Sequence, residues 1–570
     1  IVSAYQFYGD GSNLSGVGFN PDADENLIAG TCAGNTINPS STTACHNVLL
    51  GTCAGAALDA GDDNIILGTC AGKTVCSGGD NVIMGKNAAC CLTTGACNIY
   101  IGRDTAEKTT TGKCNIAIGY RVAYNYNSTG TNNIFIGKEA AAEICGGEKN
   151  IFIGPYSGAT IQNQSNNIGI GEFAGWKWCT SAGYNVSMGH DSAKYRAAGC
   201  DNIAIGCGAL EGNSGTITGN TGSTNIALGK AAGKESTTGY ENVLIGARAG
   251  QSNTTGYSAV IIGTDAGASQ TELEEGNIFI GQSAGRRSKK LEDSGSTATG
   301  RNVYIGVNAG CYGGNGSNVY IGVEAGRYSC LGCSNVYIGH GVANDSTATG
   351  AAELNVAIGY EAAQKLDTGD YNLFLGTHAA KNVTSGSSNI ILGCSAGRCL
   401  TTTSHNVMAG TGAGWYNTGG YNIFFGRGAG CGVNGCSNVA SSNVFIGEAA
   451  GCQNYSGCHN VALGGGAGRL LTTGGCNTLL GVRAGCCITT GGHNVVIGRH
   501  AEVPILTGSY QLAIGSGFER KPWIVGDCDY NVGIGTTIPT AAVGVGNTAK
   551  LSVGIVSAYQ FYGDGSNLTG

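Results

Sequence analysis

Proline, methionine and charged residues are scarce in this 570-residue sequence, which contains 6 prolines, 3 methionines and 12% charged residues. No run of about 18 apolar residues occurs, so the sequence predicts no membrane-spanning helix. No stripe of basic residues interleaved with aromatics occurs either, and the net charge is −7, so nucleic acid is not an expected partner. Collagen is excluded because the glycines do not follow a G-X-Y period.

Glycine and cysteine, by contrast, are abundant, at 102 and 26 residues. Isoleucine, valine and leucine recur at regular positions, which argues against a disordered chain. No C-x-x-C pair is matched by a second one at zinc-finger spacing. Because cysteine-rich chains persist best in oxidising surroundings, the composition favours an extracellular location.

One phrase, N-[I/V/L]-x-[I/L]-G-x-x-A-[G/A], recurs along the chain, and we number its places one to nine from the Asn. Examples are "NVLLGTCAG" from Asn47, "NIILGTCAG" from Asn64 and "NVFIGEAAG" from Asn443. The fifth-place glycine recurs mostly every 17 residues, with occasional steps of 16 or 18. We count 28 copies between Asn26 and Gly515, followed by a divergent "NVGIG" at Asn531.

A 17-residue period is too short for a pair of helices and suits one coil of a β-solenoid or β-roll. Places two to four, rich in Ile and Val, predict a strand. The fifth-place glycine predicts a corner with positive φ, and the first-place Asn is expected to stack coil on coil through its amide. We therefore predict an all-β rod of about 28 coils, roughly 130 Å long at ~4.8 Å per coil.

The third place points to the opposite side of the strand from places two and four, yet it is apolar as well. A strand that is apolar on both faces is buried on both, and a thin coil has a single interior. We therefore predict that place three contacts other copies of the chain in a parallel homotrimer. A wider coil with a second layer over that face is the alternative. The predicted inter-chain residues are Tyr100, Phe135, Phe152, Leu244, Ile261, Phe279, Tyr304, Tyr320, Tyr337, Phe374, Phe424 and Phe445.

The two ends of the sequence repeat each other, because "IVSAYQFYGDGSNLSG" at the start returns as "IVSAYQFYGDGSNLTG" over 555–570. We interpret both as copies of one joint, so that the chain is one unit of something longer. The predicted division is a joint at 1–25, the repeat rod at 26–518, an NVGIG-type connector at 519–554 and the second joint at 555–570.

Several of these phrases resemble known fibrous proteins. Coils such as "NIAIG" and "NVALG" resemble the β-roll heads of trimeric autotransporter adhesins. The run "NVGIGTTIPT" from Asn531, with "AKLSV" and "YQFYGDGSNLTG" after it, resembles a joint of phage tail fibres and virion appendages. Cysteine-rich arrays of this kind are similar to structural proteins of marine cyanobacterial phages. The resemblance implies trimeric fibres that reach or recognise a host surface.

Three pairs of cysteines occupy equivalent places in neighbouring coils: Cys53 with Cys70, Cys97 with Cys114, and Cys431 with Cys452. In-register coils bring such Cα atoms to about 4.8 Å, inside the range for a disulfide. We expect at least some coil-to-coil or inter-chain disulfides. The alternative is stacked free thiols that behave as small apolar groups.

His459, Cys476 and His493 occupy the place before the Asn in three successive coils. Imidazole and thiolate ligands suit zinc, but Tyr, Ser, Asp and Glu also fill this place. We therefore favour a tolerant turn position over a metal ladder, and predict no metal and no cofactor.

The two longest insertions in the period are at 210–223 and 286–300. The second contains Arg286, Arg287, Lys289 and Lys290; it is either a loop that recognises a host-surface glycan or protein, or a solvated loop. Recurring paired carboxylates, or a nucleophile beside its base, are not visible, so we predict that the protein is not an enzyme.

Taken together, the sequence predicts a structural protein: a rigid rod segment of a longer extracellular or virion fibre. Many weak contacts along such a rod add to avidity, which suits reach and surface attachment. The expected partner is the chain itself, as a homotrimer with further copies in tandem or end to end. A bacterial surface adhesin with receptor-binding insert loops is the alternative, and a polysaccharide depolymerase is a less favoured one.

Overall fold

The computed structural model describes residues 22–37, 43–125, 129–178, 183–196, 198–215, 219–270, 276–287, 300–314, 316–329, 332–345, 351–434, 438–516, 522–535 and 551–553. The joint at 555–570 and nearly all of the joint at 1–25 lie outside these residues. The chain divides into two units, Ile1–Ser283 and Ala284–Gly570, and we describe each by itself.

Every regular element among the described residues is a three-residue β-strand, and none is an α-helix. The strands of the first unit are β1 (Leu27–Ala29), β2 (Val48–Leu50), β3 (Ile65–Leu67), β4 (Val82–Met84), β5 (Ile99–Ile101), β6 (Ile116–Ile118), β7 (Ile134–Ile136), β8 (Ile151–Ile153), β9 (Ile168–Ile170), β10 (Val186–Met188), β11 (Ile203–Ile205), β12 (Ile226–Leu228), β13 (Val243–Ile245), β14 (Val260–Ile262) and β15 (Ile278–Ile280).

The strands of the second unit are β16 (Val303–Ile305), β17 (Val319–Ile321), β18 (Val336–Ile338), β19 (Val356–Ile358), β20 (Leu373–Leu375), β21 (Ile390–Leu392), β22 (Val407–Ala409), β23 (Ile423–Phe425), β24 (Val444–Ile446), β25 (Val461–Leu463), β26 (Thr478–Leu480), β27 (Val495–Ile497), β28 (Leu512–Ile514), β29 (Ile524–Gly526), β30 (Val532–Ile534) and β31 (Leu551–Val553).

Within each unit, every strand from β1 to β15 and from β16 to β28 pairs in parallel and in register with the next strand along the chain. Val319, for example, pairs with Val336, and Tyr320 with Tyr337. Each copy of the phrase therefore makes one coil whose backbone hydrogen bonds run to the coil above and the coil below. The prediction of an all-β solenoid with 17-residue coils is confirmed.

The fifth-place glycines form the corner at which each strand ends. Gly322 has a φ of 133°, and a Cβ at this position would lie 2.4 Å from the carbonyl oxygen of Gly339 in the next coil. Both the backbone conformation and the close approach of the coils exclude a side chain. The predicted role of this glycine is confirmed.

The predicted inter-chain role of the third-place residues is wrong. Tyr100, Phe135, Phe152, Leu244, Ile261, Phe279, Tyr304, Tyr320, Tyr337, Phe374, Phe424 and Phe445 are all at most 2% exposed within the single chain. They fill the inside of the coil, where their rings stack from one coil to the next, with 4.8 Å between the ring centroids of Tyr304 and Tyr320.

The eighth-place alanines, such as Ala325, are fully buried as well, and they leave room for these rings. Where place three is a glycine, Gly169, the space beside Phe152 is taken by Trp178 from the following turn, with 6.0 Å between the two ring centroids. Large and small residues thus pack together inside the coil, and the core is filled by side chains of a single chain.

The first-place asparagines form a buried hydrogen-bonded ladder beside this core. The Nδ2 of Asn335 donates to Oδ1 of Asn318 at 3.2 Å and to the carbonyl of Ala352 at 2.7 Å. The backbone N–H of Asn335 donates to the same Oδ1 at 3.0 Å. Each amide therefore satisfies polar groups in its own and the neighbouring coil, as predicted, and also bonds the next Asn side chain.

The regular coils end at β28, where the chain reverses direction. β29 pairs antiparallel with β28, with Ala513 opposite Val525. β30, the divergent "NVGIG" copy, pairs antiparallel with β29 and parallel with β31. The change of direction falls close to the predicted boundary at residue 518.

Candidate interaction face and cysteine clusters

The outer side of each strand carries places two and four, and both are apolar in nearly every coil. These side chains are partly exposed to solvent: Ile205 is 39% exposed and Ile390 is 41% exposed. Because consecutive strands are in register, they form an unbroken stripe along each unit, two side chains wide and apolar at every position from β1 to β28 except Thr478. We call this stripe the outer face.

The outer face is larger than an isolated protein normally exposes. Over the thirteen coils from β16 to β28 it amounts to on the order of 1,000 Å², whereas the largest apolar patch of a soluble monomer is a few hundred Å². No strand from β1 to β28 contains a charged residue. A patch of this size and composition is typical of an interaction surface.

A polar rim borders the outer face, formed by the residue that precedes each Asn. This rim residue has a left-handed backbone, with φ of 59° at both His46 and His459. The rim includes charges, as at His46, which lies 3.5 Å from Glu25 and 3.7 Å from Asp63. It also includes exposed aromatic rings, so its chemistry varies from coil to coil while the outer face stays apolar.

His459, Cys476 and His493 lie on this rim, all three with left-handed backbone. The His493 ring stacks on Tyr510, with 4.6 Å between the ring centroids. Among the described residues, the one cluster of three side chains able to hold a metal lies elsewhere and includes none of these three.

The paired cysteines have free thiols in the structure, so the disulfides remain a prediction. Cys53 and Cys70 share the seventh place of successive coils, and Cys97 and Cys114 share the rim. Partial desolvation, followed by the charge of the Cys114 thiol, raises the pKa of Cys97.

Cys431 and Cys452 share the tenth place of successive coils and contact each other. The Cys431 thiol donates to the backbone carbonyl of Cys452, with Sγ 3.1 Å from the oxygen. The adjacent Cys431 thiol, assisted by the Arg469 charge, lowers the pKa of Cys452 to about 7. The same contact and burial raise the pKa of Cys431 well above its usual value.

Cys486, Cys487 and Glu502 form the cluster of three potential metal ligands. The two sulfurs lie 3.6 Å apart, and Sγ of Cys486 lies 3.0 Å from Oε1 of Glu502. Burial is the main cause that raises the pKa of Cys486 to about 12, and the hydrogen bond to the Glu502 carboxylate is the second. Sequence reasoning missed this cluster, although "NVVIGRHAE" carries a signal: Glu502 replaces the ninth-place Gly or Ala.

The basic insertion is described only at its start. The Arg287 guanidinium lies 5.8 Å from the centroid of the Tyr312 ring, and the Arg286 side chain is partly buried. Lys289 and Lys290 lie outside the described residues. The candidate recognition loop is therefore tied to the coil surface at its first two residues.

The other insertion, 210–223, is held by polar groups that the sequence did not single out. Arg196 is 3% exposed, and its Nη2 donates to the carbonyl of Gly222. Burial lowers the pKa of Arg196 to about 10. Asn220 Nδ2 donates to the carbonyl of Tyr195 at 2.6 Å, so the insertion packs against the coil.

A cavity of about 300 Å³ opens where the regular coils end. Its walls combine outer-face side chains of β27, β28 and β30 with exposed aromatic rings and one carboxylate. The lining side chains include His493, Val495, Tyr510, Leu512, Asp527, Tyr530 and Val532. The Asp527 carboxylate accepts hydrogen bonds from Asp529 and Asn531, so its position is fixed locally.

In the part of the chain that the structure describes, no helix has the length and apolar character needed to cross a membrane. No protein-family model, no curated protein and no solved structure matches this chain.

Proposed function

We propose that the chain is a non-enzymatic rod segment of an extracellular or virion fibre, and that three copies associate side by side through their outer faces. The observation that carries the proposal is the apolar stripe on the outer side of the strands. Its exposure makes association with another apolar surface favourable, at about 25 cal/mol for each Å² removed from water.

A second copy of the same chain is the partner that fits best. The side chains of the outer face recur once per coil, about every 4.8 Å, and another parallel coil of the same solenoid has the same period. Identical chains that associate in a closed arrangement do so with cyclic symmetry. A stripe only two side chains wide suits three rods that converge on one axis.

The homotrimer proposed here differs from the one expected from the sequence in the residues that make the interface. The third-place rings lie inside the coil, so the contact is made by places two and four. The resemblance of the sequence to trimeric fibres supports the same arrangement.

A rod built in this way suits mechanical reach. Neighbouring coils share strand hydrogen bonds, the Asn ladder and stacked rings, so bending requires many contacts to break together. The rim, whose residues vary, then repeats in three copies along the rod, and many weak contacts with a surface add to avidity.

A surface adhesin is the second candidate, and the cavity near β28 is the observation that favours it. Tyr510 and Tyr530 are exposed rings beside apolar walls, an arrangement that suits a sugar ring or another flat ligand. Binding of host-surface glycans that is lost when Tyr510 and Tyr530 are both changed to Ser would favour this function over a plain spacer.

The test of the fibre proposal is the absolute mass of the chain in solution, measured by light scattering with and without reductant. We expect a mass of three chains in both conditions. The double variant I305K/I321K places two charges on the outer face, and we expect it to lower the mass to that of a single chain.

The matched control is V307K/V323K, in the same two coils. Val307 and Val323 are 40% and 42% exposed, yet they lie beyond the corner glycine and off the strand. The control should keep the trimer. A wild-type chain that is monomeric at every concentration, or equal loss of mass in both variants, would overturn the proposal.

A further inference from the structure

The coil that contains β27 departs from the repeat at its ninth place, which is Gly or Ala in the other complete coils except for Leu210. Glu502 occupies this place after Ala501 and is 6% exposed. A buried carboxylate is costly unless charged or polar groups surround it. Its neighbours here are the thiols of two consecutive residues of the preceding coil, Cys486 and Cys487.

The backbone explains how Glu502 comes to lie beside the thiols. In a regular coil, the eleventh-place N–H donates to the tenth-place carbonyl of the next coil, as Cys91 does to Glu107 at 3.0 Å. Between the coils of β26 and β27, the N–H of Cys487 donates instead to Oε1 of Glu502 at 3.1 Å. The carboxylate thus replaces a missing backbone acceptor and is held within reach of both sulfurs.

The separations match those of a tetrahedral metal site. Two sulfurs bound to zinc at about 2.3 Å in tetrahedral geometry lie about 3.8 Å apart, and the sulfurs of Cys486 and Cys487 lie 3.6 Å apart. The ligand atoms of the three residues all lie within 4.8 Å of one another. Both cysteines are only partly buried, so an ion can enter from solvent.

We propose that Cys486, Cys487 and Glu502 bind a zinc-class divalent cation, with two sulfurs and one carboxylate oxygen as ligands and a fourth position open to solvent. Binding replaces the hydrogen bond between the Cys486 thiol and Glu502 by bonds from each group to the metal. The two thiols release their protons to water, so a dication, two thiolates and one carboxylate leave a net charge of −1. The N–H of Cys487 continues to orient the carboxylate.

The chain offers an internal comparison in Cys90 and Cys91, which occupy the same tenth and eleventh places. Their sulfurs lie 3.8 Å apart, and the Cys90 thiol donates to the backbone carbonyl of Glu107 at 3.6 Å. A backbone carbonyl thus accepts from this thiol pair. Although burial, then the Cys91 thiol and then the Glu107 charge raise the pKa of Cys90, the Glu107 carboxylate does not lie within 4.8 Å of both sulfurs. The difference isolates the contribution of Glu502.

The experiment uses the full chain, reduced and stripped of metal, and titrated with Co²⁺ as a spectroscopic substitute for Zn²⁺. Thiolate ligands give a sulfur-to-metal charge-transfer band, and tetrahedral geometry gives strong visible absorption. We expect one tight equivalent whose signal Zn²⁺ abolishes. Because the chain has 26 cysteines and others could also bind Co²⁺, the comparison of variants shows which residues hold the tight equivalent.

Three variants are compared with the wild type. We expect C486S/C487S to lose the tight equivalent, and E502Q, which preserves the size and the acceptor for the Cys487 N–H, to weaken it at least tenfold. C90S/C91S should leave it unchanged. An unchanged equivalent in C486S/C487S or in E502Q, or its loss in C90S/C91S, overturns the proposal. Unaltered circular dichroism of each variant shows that folding is not the cause.

Discussion

The two sides of one hexapeptide, Tyr421–Gly426, behave differently although each of them carries a phenylalanine. Asn422 and Phe424 point into the coil and are fully buried, whereas Phe425, next in the chain, is 42% exposed and Tyr421 is 65% exposed. The inner side is fixed by contacts between coils, because Phe424 stacks on Phe445 and the Asn422 side chain accepts from the N–H of Asn443. The outer side remains exposed to solvent, and its apolar character therefore points to a partner.

The largest effect is expected at the corner. A Cβ on Gly426, which has a φ of 124°, would lie 2.7 Å from the carbonyl oxygen of Gly447. We expect Gly426→Ala to lower the free energy of unfolding by about 5 kcal/mol or more, because strain and steric overlap with the next coil's backbone add. Urea denaturation followed by circular dichroism measures it.

Gly428 is the matched control, because it also has a positive φ, 63°, but has no atom within 4 Å of a Cβ. We expect Gly428→Ala to cost only about 1 kcal/mol, the backbone contribution alone. Equal losses in the two variants would show that close approach of the coils is not what the corner glycine permits.

The next effect separates the two phenylalanines of β23. Phe424→Ala empties a core site where the ring stacks on Phe445 with 5.3 Å between the centroids, and we expect a loss of about 3–5 kcal/mol. Phe425→Ala should cost less than about 1 kcal/mol in a dissociated chain. Denaturation at low protein concentration, where the proposed trimer would dissociate, gives both values; a reversed order would contradict the assignment of the faces.

A smaller effect is expected on the Asn ladder. Asn422 donates through Nδ2 to the carbonyl of Ala440 at 2.9 Å, and its Oδ1 accepts from the N–H of Asn443 at 3.0 Å. Asn422→Ala leaves these buried groups without partners, which we expect to cost about 2–3 kcal/mol. Tyr421→Ala, on the rim, should change stability by less than about 0.5 kcal/mol.

Hydrogen exchange of the amide of Asn443 offers a local measurement of the same variant. We expect faster exchange there in Asn422→Ala and unchanged exchange in Tyr421→Ala, since the Tyr421 ring stacks on the His405 ring, with 4.8 Å between the centroids, on the side away from Asn443. Protection that survives in Asn422→Ala would mean that strand pairing, and not the side-chain ladder, protects this amide.

The smallest effect concerns reactivity and not stability. With a pKa of about 7, Cys452 is largely thiolate above neutral pH and protonated below it, so its alkylation should rise steeply between pH 6 and 8. Cys486, whose pKa is about 12, should stay slow over the same range. Mass spectrometry after brief iodoacetamide treatment measures both.

The control for this prediction is Cys431→Ala, which removes the hydrogen bond to Cys452. We expect the pKa of Cys452 to rise and its alkylation at pH 7 to slow. Under mild oxidation the wild type should join Cys431 to Cys452, as the sequence suggested; alkylation of Cys452 that is insensitive to Cys431 would argue against the contact.

The repeat, the strand, the corner glycine and the stacked Asn were all predictable, because each follows from a local requirement that recurs once per coil. Which side of the strand faces the interior was predicted wrongly, because Ile-Phe-Ile or Val-Tyr-Ile is apolar on both sides. A signal was nevertheless present. Side chains alternate along a strand, so an Asn that stacks inside the coil at place one requires place three to lie inside with it.

The candidate sites were less predictable, because they arise where the repeat is broken. Glu502 lies beside the thiols because its carboxylate, and not a backbone carbonyl, accepts from the N–H of Cys487. Arg196 is buried where it donates to the carbonyl of Gly222, at the end of the insertion. Such contacts depend on the path of an irregular segment, which no period specifies. A departure from the consensus, as in Ala501–Glu502, was the available sign.

The antiparallel strand β29 has a consequence for growth of the sheet. A parallel β-edge presents unpaired N–H and carbonyl groups and can template the addition of another chain, as in amyloid. Ile524–Gly526 occupies the edge of β28 in the opposite direction, so a further parallel coil cannot add there. Extension of the sheet at β28 is therefore determined by the chain's own next strand and does not depend on protein concentration.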